Sequence, residues 1–362
     1  MQDHLKEIIS ILWSKRIPFV AYRLPWKQEV TILVQKSSSI KSIDLDDIES
    51  VSGFIMAPFE SVQTKKAYIL KPDIIFTSFT PFREVEKLLS MADQVTKNMQ
   101  NKNIWSKETY LEKANTVLMD LKKNKLQKLV LSRIVEKELK VNFEPGDAFA
   151  MLNEQYEHSF NYTFHLPSIG SWIGATPETF LRINNSVAET VSLAGTKPAD
   201  YIEWTLKERR EQAIVTDFIS YELDKLGIIN YKIDGPDTVM AGNVAHLSSK
   251  FTISKKDLKG KAGKLIRSLH PTPAICGLPK NEAFEYILQI EDHDRKFYAG
   301  FLGPWQMNGH SDLFVNLRCA EFDSSKMHIF VGGGFTTSSV AESEWEETVH
   351  KSKTLLSVTE NF

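Results

Sequence analysis

Residues 327–353 read MHIFVGGGFTTSSVAESEWEETVHKSK. The apolar run MHIFV predicts a strand, the segment VGGGFTTSS predicts a loop, and a helix is expected to begin near residue 343. On that helix Glu344, Glu347 and Lys351 share one face, because they are three and four residues apart. Two carboxylates and an ammonium beside a loop that can present N–H groups predict a receptor for a metal-bound, carboxylate-bearing substrate.

Short apolar runs bounded by turn residues recur before this stretch and predict strands. The runs are FVAYRL, VTILVQ, FIMAPF, AYILKP and IIFTSF in the first 85 residues, then KLVLSRIVEKEL, FNYTFHL, SWIGAT, ETFLRIN and ETVSLAG, and finally FYAGFLGPWQM and DLFVNLRCAEF.

Helical spacing of apolar residues is found in three places before the C-terminal helix. These are the first amphipathic segment, residues 84–124, and a long helix over about 205–227 that Gly227 is expected to end as a C-cap. Strands therefore come in runs, with helices clustered between them. This order predicts an α+β fold with large antiparallel sheets rather than a doubly wound parallel sheet.

The composition is that of a globular protein, with 42% hydrophobic and 25% charged residues in 362. A formal net charge of −2 argues against a nucleic-acid partner. Cys276 and Cys319 are too few for a disulfide framework and suit a reducing compartment. The N-terminal segment lacks the pattern of a signal peptide, and no apolar run is long enough to span a membrane. A cytoplasmic protein is expected.

Glu211 is the first candidate outside the C-terminal helix. It precedes Ile214, Val215 and Phe218 at helical spacing, so it falls on the apolar stripe of its helix. A carboxylate in that position is costly to bury unless it is paired or bound to a metal. It is either a helix-start glutamate paired with a neighbouring arginine or, together with Glu344 and Glu347, an oxygen ligand of the kind that Mg²⁺ prefers.

Lys128 and Glu178 are candidates for proton transfer. Lys128 opens the strand KLVLSR and is either a solvated edge residue or a desolvated base. Glu178 follows the turn GATP and is either an exposed carboxylate or an acid kept protonated by apolar surroundings. A base and an acid acting on one substrate would suit a displacement in which water enters and hydroxide leaves.

The remaining candidates would contact a ligand. Arg318 is expected inside the strand FVNLRCAEF, as a structural ion pair or as a fork that clamps a carboxylate. His246 and His270 are either core histidines or pocket residues, and the Pro- and Gly-rich loop after His270 is rigid enough to wall a pocket. Gly195 and Thr196 could offer an N–H and a hydroxyl to the same pocket.

Together these segments resemble the chorismate-utilising enzymes: the isochorismate, salicylate, anthranilate and aminodeoxychorismate synthases. The resemblance covers most of residues 125–355 and is carried by KLVLSR, IGATPET, LAGT, KERREQ, VAHL, LHPTPAICGLP, FYAGFLG, NLRCAEF, VGGGF and ESEWEETVHK, in that order. It implies one large unit in which two halves contribute interleaved antiparallel sheets flanked by helices, with the active site between them. Residues 1–100 would be its variable N-terminal part and residues 101–362 the chorismate-binding core.

Within that family the chain resembles the isochorismate synthases most. Lys128 stands where these enzymes and the salicylate synthases carry a lysine base, and Ala274 in HPTPA stands where salicylate synthases tend to have threonine. Tyr298 in FYAG resembles both groups and does not discriminate between them. The stretch from Glu178 to Glu211 looks shorter than in familiar relatives, so a loop beside the site is trimmed.

The resemblance also implies residue roles. Mg²⁺ would be held by Glu211 and Glu347, with Glu344 acting through water. Lys128 would deprotonate the water that attacks C2 of chorismate, and Glu178 would protonate the departing C4 hydroxyl. The remaining residues would bind the substrate: Thr196, Gly195, His246, Tyr298, Arg318, Gly333, Gly334 and Lys351.

The reaction implied is isomerisation of chorismate to isochorismate, for menaquinone or else catecholate siderophore biosynthesis. A salicylate synthase and a non-catalytic chorismate-binding protein are the alternatives. No amidotransferase partner and a monomer are expected.

Overall fold

A computed structural model describes residues 3–78, 80, 99–167, 169–198, 203–241 and 244–359. The helix predicted over the first part of 84–124 lies outside the described residues, whereas its second part forms a helix. The strands that the structure describes are β1 (Phe19–Arg23), β2 (Val30–Val34), β3 (Lys41–Asp44), β4 (Gly53–Ala57), β5 (Lys66–Leu70), β6 (Ile74–Thr77), β7 (Lys128–Glu138), β8 (Phe160–Leu166), β9 (Gly170–Thr176), β10 (Thr179–Ile183), β11 (Val187–Pro198), β12 (Tyr231–Ala241), β13 (Val244–Ser254), β14 (Gly277–Leu278), β15 (Phe301–Trp305), β16 (Ser311–Val315), β17 (Cys319–Phe322) and β18 (Lys326–Phe335).

Helices lie between and around these strands. Those described are α1 (Asp3–Ser14), α2 (Ser61–Thr64), α3 (Lys107–Lys122), α4 (Pro145–Gln155), α5 (Leu206–Lys225), α6 (Lys255–Leu258), α7 (Ala262–Leu269), α8 (Lys280–Ile290) and α9 (Ala341–Thr359), with a 3-10 helix at Leu45–Ser50. Among the described residues, no helix is both long and apolar enough to cross a membrane.

The strands form two antiparallel sheets of nine strands each. The order in the first sheet is β14-β7-β18-β17-β9-β8-β1-β2-β6, and in the second β12-β13-β11-β10-β16-β15-β4-β5-β3. Each sheet contains strands from both ends of the chain, so neither half of the sequence completes a sheet alone. The predicted α+β fold with large antiparallel sheets is confirmed.

The sheets pack face to face through large aromatic side chains. Phe160 of the first sheet stacks on Phe314 of the second with ring centroids 4.3 Å apart. Within the first sheet, Trp172 stacks on Phe330 at 5.3 Å. A second apolar cluster covers the outer face of the first sheet, where α1, α4 and α9 contribute buried side chains such as Ile8, Phe149 and Leu355. Burial of apolar surface on both faces of this sheet makes it the rigid centre of the molecule.

Two of the places where the chain crosses from one sheet to the other are neighbours in space. Pro177 and Glu178 join β9 to β10, and residues 316–318 join β16 to β17. The two crossings are hydrogen-bonded to each other, because Val315 N donates to Glu178 O at 3.0 Å and Ala175 N donates to Arg318 O at 3.1 Å. DLFVNLRCAEF was expected to be one strand with Arg318 inside it. That prediction is wrong, since the segment is two strands in different sheets.

The secondary structure of the glycines in VGGGF also differs from the prediction. They were predicted to form a loop, but they belong to β18 and pair with Leu131 and its neighbours in β7. Helix α9 begins at Ala341, two residues before the predicted start. The long helix α5 is confirmed, and Gly227 follows its end with φ +66° and an N–H that donates to Asp224 O. A left-handed residue at that position suits glycine because it has no Cβ.

Candidate active site

The glycines of β18 allow two side chains to approach the backbone closely. A Cβ on Gly332 would lie 2.7 Å from the Tyr298 hydroxyl oxygen, and one on Gly333 would lie 2.9 Å from Glu344 Oε2. Strand β17 pairs with β18 only as far as Phe330, so the glycine segment has no strand partner on that edge in the described part of the chain. The segment is therefore a flat backbone surface against which functional side chains lie.

Lys128 is buried at the start of β7, with 5% of its surface exposed. Its Nζ lies 3.5 Å from Glu211 Oε1, and its Cε lies 3.6 Å from the place where a Cβ of Gly334 would be. Of the two interpretations left open by the sequence, the solvated edge lysine does not fit this burial. The ion pair brings together two predicted site residues that are far apart in sequence.

Glu211 borders the buried face of α5, because it directly precedes the buried Gln212. Gln212, Val215 and Ile219 are buried, whereas Glu211 and Ile214 are half-buried. The apolar stripe predicted on α5 exists, but its centre is shifted around the helix from the predicted position. Glu211 therefore lies at the edge of the stripe. There its carboxylate can reach Lys128 rather than lying in the core.

Glu178 lies in the connection from β9 to β10, where the chain crosses between the sheets. Burial raises the pKa of its carboxyl to about 7, although the positive charges of Lys128, Lys351 and Arg318 act to lower it. The residue as a whole stays half-exposed, as a group that faces a substrate site must. Desolvation thus raises the pKa of Glu178 more than the three cations lower it. This is the environment predicted for a protonated acid.

Arg318 lies in the crossing from β16 to β17 and has a left-handed backbone, with φ +49°. Its pKa is lowered by burial, while Tyr298, Glu347 and Glu178 act in the opposite direction. A non-glycine residue in this conformation costs energy and is held there by its surroundings. The backbone bond to Ala175 N is one such constraint.

Glu347 and Lys351 form an ion pair on α9, one turn apart. The Nζ of Lys351 lies 2.5 Å from Glu347 Oε1 and donates a hydrogen bond of 2.8 Å to Gly332 O. Burial opposes ionisation of Glu347, but Lys351, with help from Arg318 and Lys128, lowers the pKa of its carboxyl overall. Gly332, whose carbonyl anchors Lys351, was not predicted as a site residue. Its place as the first of the three glycines was the available signal.

Tyr298 is buried between the two sheets just before β15. Its ring stacks on Phe330 with centroids 5.6 Å apart, and burial raises the pKa of its hydroxyl well above the usual value. The hydroxyl therefore stays protonated and can act as a hydrogen-bond donor beside Gly332.

Gly195 and Thr196 form a bulge in β11. They face His246 alone, because Ala194 pairs with Leu247 and Lys197 with Ala245. His246 Nδ1 donates to Gly195 O at 3.0 Å, and burial lowers the pKa of this histidine, with Arg318 and Lys351 adding to the effect. The Thr196 side chain lies outside the described residues.

His270 is a core residue. It is 1% exposed, its Nε2 donates to Phe59 O at 3.1 Å, and its ring packs edge-on against Phe301. Burial lowers its pKa to about 3, so it stays neutral. The core interpretation of His270 thus holds.

The three predicted metal ligands provide only carboxylate oxygens, the donor type that suits Mg²⁺. Glu211 and Glu347 both lie within the electrostatic reach of Lys128. In the described ranges, no group of three or more His, Cys, Asp or Glu side chains is already arranged around a common point. The donor chemistry fits the ion, and the ligand set stays a prediction.

The chain is similar to proteins of known function. A family model described as "Chorismate binding enzyme" matches residues 73–360. The vibriobactin-specific isochorismate synthase of Vibrio cholerae is 25% identical over 333 residues, covering 89% of this chain and 82% of that protein. Isochorismate synthase EntC of Escherichia coli is 28% identical over 244 residues, covering 64% and 62%. The chain thus spans under two thirds of the length of some relatives that it matches.

Solved structures share the fold. A structure titled as a putative 2,3-dihydroxybenzoate-specific isochorismate synthase, DhbC, from Bacillus anthracis has a TM-score of 0.78 at 21% identity, covering 98% of this chain and 99% of that one. Anthranilate synthase component I from Streptococcus pneumoniae has a TM-score of 0.71 at 16% identity, covering 93% and 89%. With four fifths of its residues matched by the family model, the chain belongs to the chorismate-binding enzymes.

Proposed function

We propose that this protein is an isochorismate synthase, which converts chorismate to isochorismate by adding water at C2 and releasing the C4 hydroxyl. The observation that carries the proposal is a buried lysine and a carboxyl of raised pKa facing one site, Lys128 and Glu178. An allylic displacement of hydroxyl by water needs a base for the entering water and an acid for the leaving group. Similarity to several isochorismate synthases supports the same reaction.

Lys128 would act as the base. Its burial limits competing solvation, and its ammonium is held by Glu211 at 3.5 Å when charged. In its neutral form the amine would take a proton from the water that attacks C2. The side chain lies against the glycine strand, so its approach to the substrate is restricted to one direction.

Glu178 would act as the acid. A pKa of about 7 means that near neutral pH roughly half of the carboxyl groups hold a proton, which can pass to the departing C4 oxygen. The double bonds of the ring shift as water enters at C2 and the protonated C4 hydroxyl leaves as water. Atoms balance, because one water is consumed and one is released.

The two carboxylates of chorismate would be bound by the remaining residues. Arg318 would form a fork to the enolpyruvyl carboxylate, with the Tyr298 hydroxyl as a further donor. Lys351 and the N–H groups of Gly333 and Gly334 would add positive charge and donors along the open edge of β18. His246, Gly195 and Thr196 would border the ring.

Mg²⁺ would be held by Glu211 and Glu347, with Glu344 acting through water. When bound, it would neutralise the ring carboxylate and orient the ring. We further propose a cytoplasmic monomer without an amidotransferase partner. Two buried free cysteines, Cys276 and Cys319, support a reducing compartment. The product would feed menaquinone or siderophore synthesis, and FYAG favours the former.

The direct test is incubation of the purified protein with chorismate and Mg²⁺, followed by chromatographic separation of products. An isochorismate peak that disappears with EDTA is the expected result. Salicylate with pyruvate would instead assign the protein to the salicylate synthases. Chorismate that stays bound but unchanged would show a non-catalytic binding protein and overturn the proposal.

A further inference from the structure

Strand β7, which carries Lys128, has a short neighbour on its outer side. Strand β14 pairs with Lys128 and Leu129, and toward the C-terminal end of β7 one further backbone bond runs from Val130 N to Cys276 O at 2.7 Å. Beyond that point the backbone of β7 still has polar groups that face away from β18. Buried groups of this kind must find partners, because leaving them unpaired is costly.

A buried ion pair supplies those partners. Glu291 Oε1 accepts from Ser132 N at 2.7 Å, and Arg295 NH2 donates to Val130 O at 2.7 Å. The two side chains are 7% and 3% exposed and bind each other at two points, at 2.8 and 2.6 Å. A carboxylate and a guanidinium therefore continue the hydrogen-bond ladder on the side of β7 where the described residues provide no further strand.

Arg295 also contacts two other parts of the site. Its NH1 donates to Ile275 O at 3.0 Å, next to Ala274 in the HPTPA loop. Its guanidinium lies 5.8 Å from the centre of the Tyr298 ring and 4.5 Å from that of Phe59. One planar group thus links the strand of Lys128, the HPTPA loop and the aromatic layer under Tyr298.

The opposite charges of Glu291 and Arg295 stabilise these contacts. Burial opposes ionisation of both groups, but their attraction prevails, so the pKa of Glu291 is lowered and that of Arg295 is raised. Both stay ionised over the working pH range, and neither is among the proposed substrate-binding residues. A lysine in place of Arg295 would keep the charge but could not match the planar fork that reaches two carbonyls and a carboxylate.

We propose that Arg295, held by Glu291, is a positioning residue that sets the location of Lys128 relative to the HPTPA loop and Tyr298. The inference rests on the proposed function, in which Lys128 is the base. A displacement of about 1 Å at a reacting group can cost on the order of 100-fold in rate. The pair would then contribute to turnover as well as to stability.

The test is Arg295→Lys, with Arg23→Lys as the matched control. Arg23 is also buried, at 4% exposure, and donates to the backbone carbonyls of Lys27, Tyr156 and Glu157, but four strands separate β1 from β7. We expect kcat of Arg295→Lys to fall about 10- to 100-fold with a smaller change in KM, and the pH profile of kcat to shift. Arg23→Lys should lose thermal stability without either change.

Hydrogen exchange provides a readout that does not need activity. In Arg295→Lys, amides of residues 128–134 and 270–277 should exchange on the order of 10-fold faster, while β1 stays protected. If Arg295→Lys fails to fold, Glu291→Gln, which keeps the arginine, replaces it in both measurements. A folded variant with wild-type kcat and unchanged exchange would overturn the proposal. A wild-type protein that does not convert chorismate would overturn the proposed function alone, because the exchange experiment would still decide the positioning role.

Discussion

The carboxylate of Glu344 lies against the backbone of Gly333, so that a Cβ at that glycine would be 2.9 Å from Glu344 Oε2. The carboxylate is the flexible partner in this contact and would have to move. Gly333→Ala should therefore raise the Mg²⁺ concentration needed for half-maximal activity by about 10-fold or more, because Glu344 would be displaced. Magnesium titration of the initial rate measures this.

The neighbouring glycine offers a comparison. A Cβ on Gly334 would meet Lys128 Cε at 3.6 Å, an ordinary contact. Gly334→Ala should leave the Mg²⁺ concentration for half-maximal activity within about twofold of the wild-type value. Any effect of this variant should appear in KM for chorismate. Equal magnesium requirements in the two variants would argue against a metal role for Glu344.

Replacement of Lys128 tests the base. Lys128→Ala should lower kcat by about 10²- to 10⁴-fold, the usual contribution of a general base, with the protein still folded by circular dichroism. Lys250 is a suitable control, since it lies on β13 with half of its side chain exposed and pairs with Glu189. Full activity in Lys128→Ala would remove this residue from the mechanism.

The pH dependence tests the acid. Because the pKa of Glu178 is raised to about 7, kcat/KM should fall as the pH rises through 7 and the carboxyl loses its proton. Glu178→Gln should bind chorismate but turn it over very slowly. Normal turnover in that variant, measured by product chromatography, would exclude Glu178 as the acid.

The same shift affects stability. Since the folded-state pKa of Glu178 is raised above its ordinary value of 4.5, the native state holds more protons than the unfolded state between pH 4.5 and 7. The free energy of unfolding should therefore decline across that window. Glu178→Gln removes this cost, so its denaturation midpoint should exceed that of the wild type at pH 8 and show no gain at pH 4.

Arg318 tests carboxylate recognition. Arg318→Lys keeps a positive charge but loses the fork, so KM for chorismate should rise on the order of 10- to 100-fold. The lysine variant should fold, because the left-handed backbone of residue 318 is held by a main-chain bond to Ala175. An unchanged KM would show that Arg318 serves only the crossing between the sheets.

Much of the fold could be predicted from local patterns. The apolar runs that became β1, β2, β7, β8 and β9 needed only alternation and turn residues, and the end of α5 needed only a glycine after a periodic segment. The helix α4 and the hairpin β12–β13 were not predicted. The apolar residues of α4 fall within a helix of only eleven residues, too short for a clear helical period, and β12 contains Gly235 and Pro236, which are typical of a turn.

The amino-acid sequence by itself determined the α+β class with large antiparallel sheets and the residue types that the site employs, because hydrophobic periodicity and short motifs are local properties. Only the tertiary structure decided that VGGGF is a strand and that Arg318 lies at a crossing between sheets. It also decided that Lys128 is buried and that His270 belongs to the core. Each of these depends on the approach of segments more than 100 residues apart, and no local pattern records such an approach.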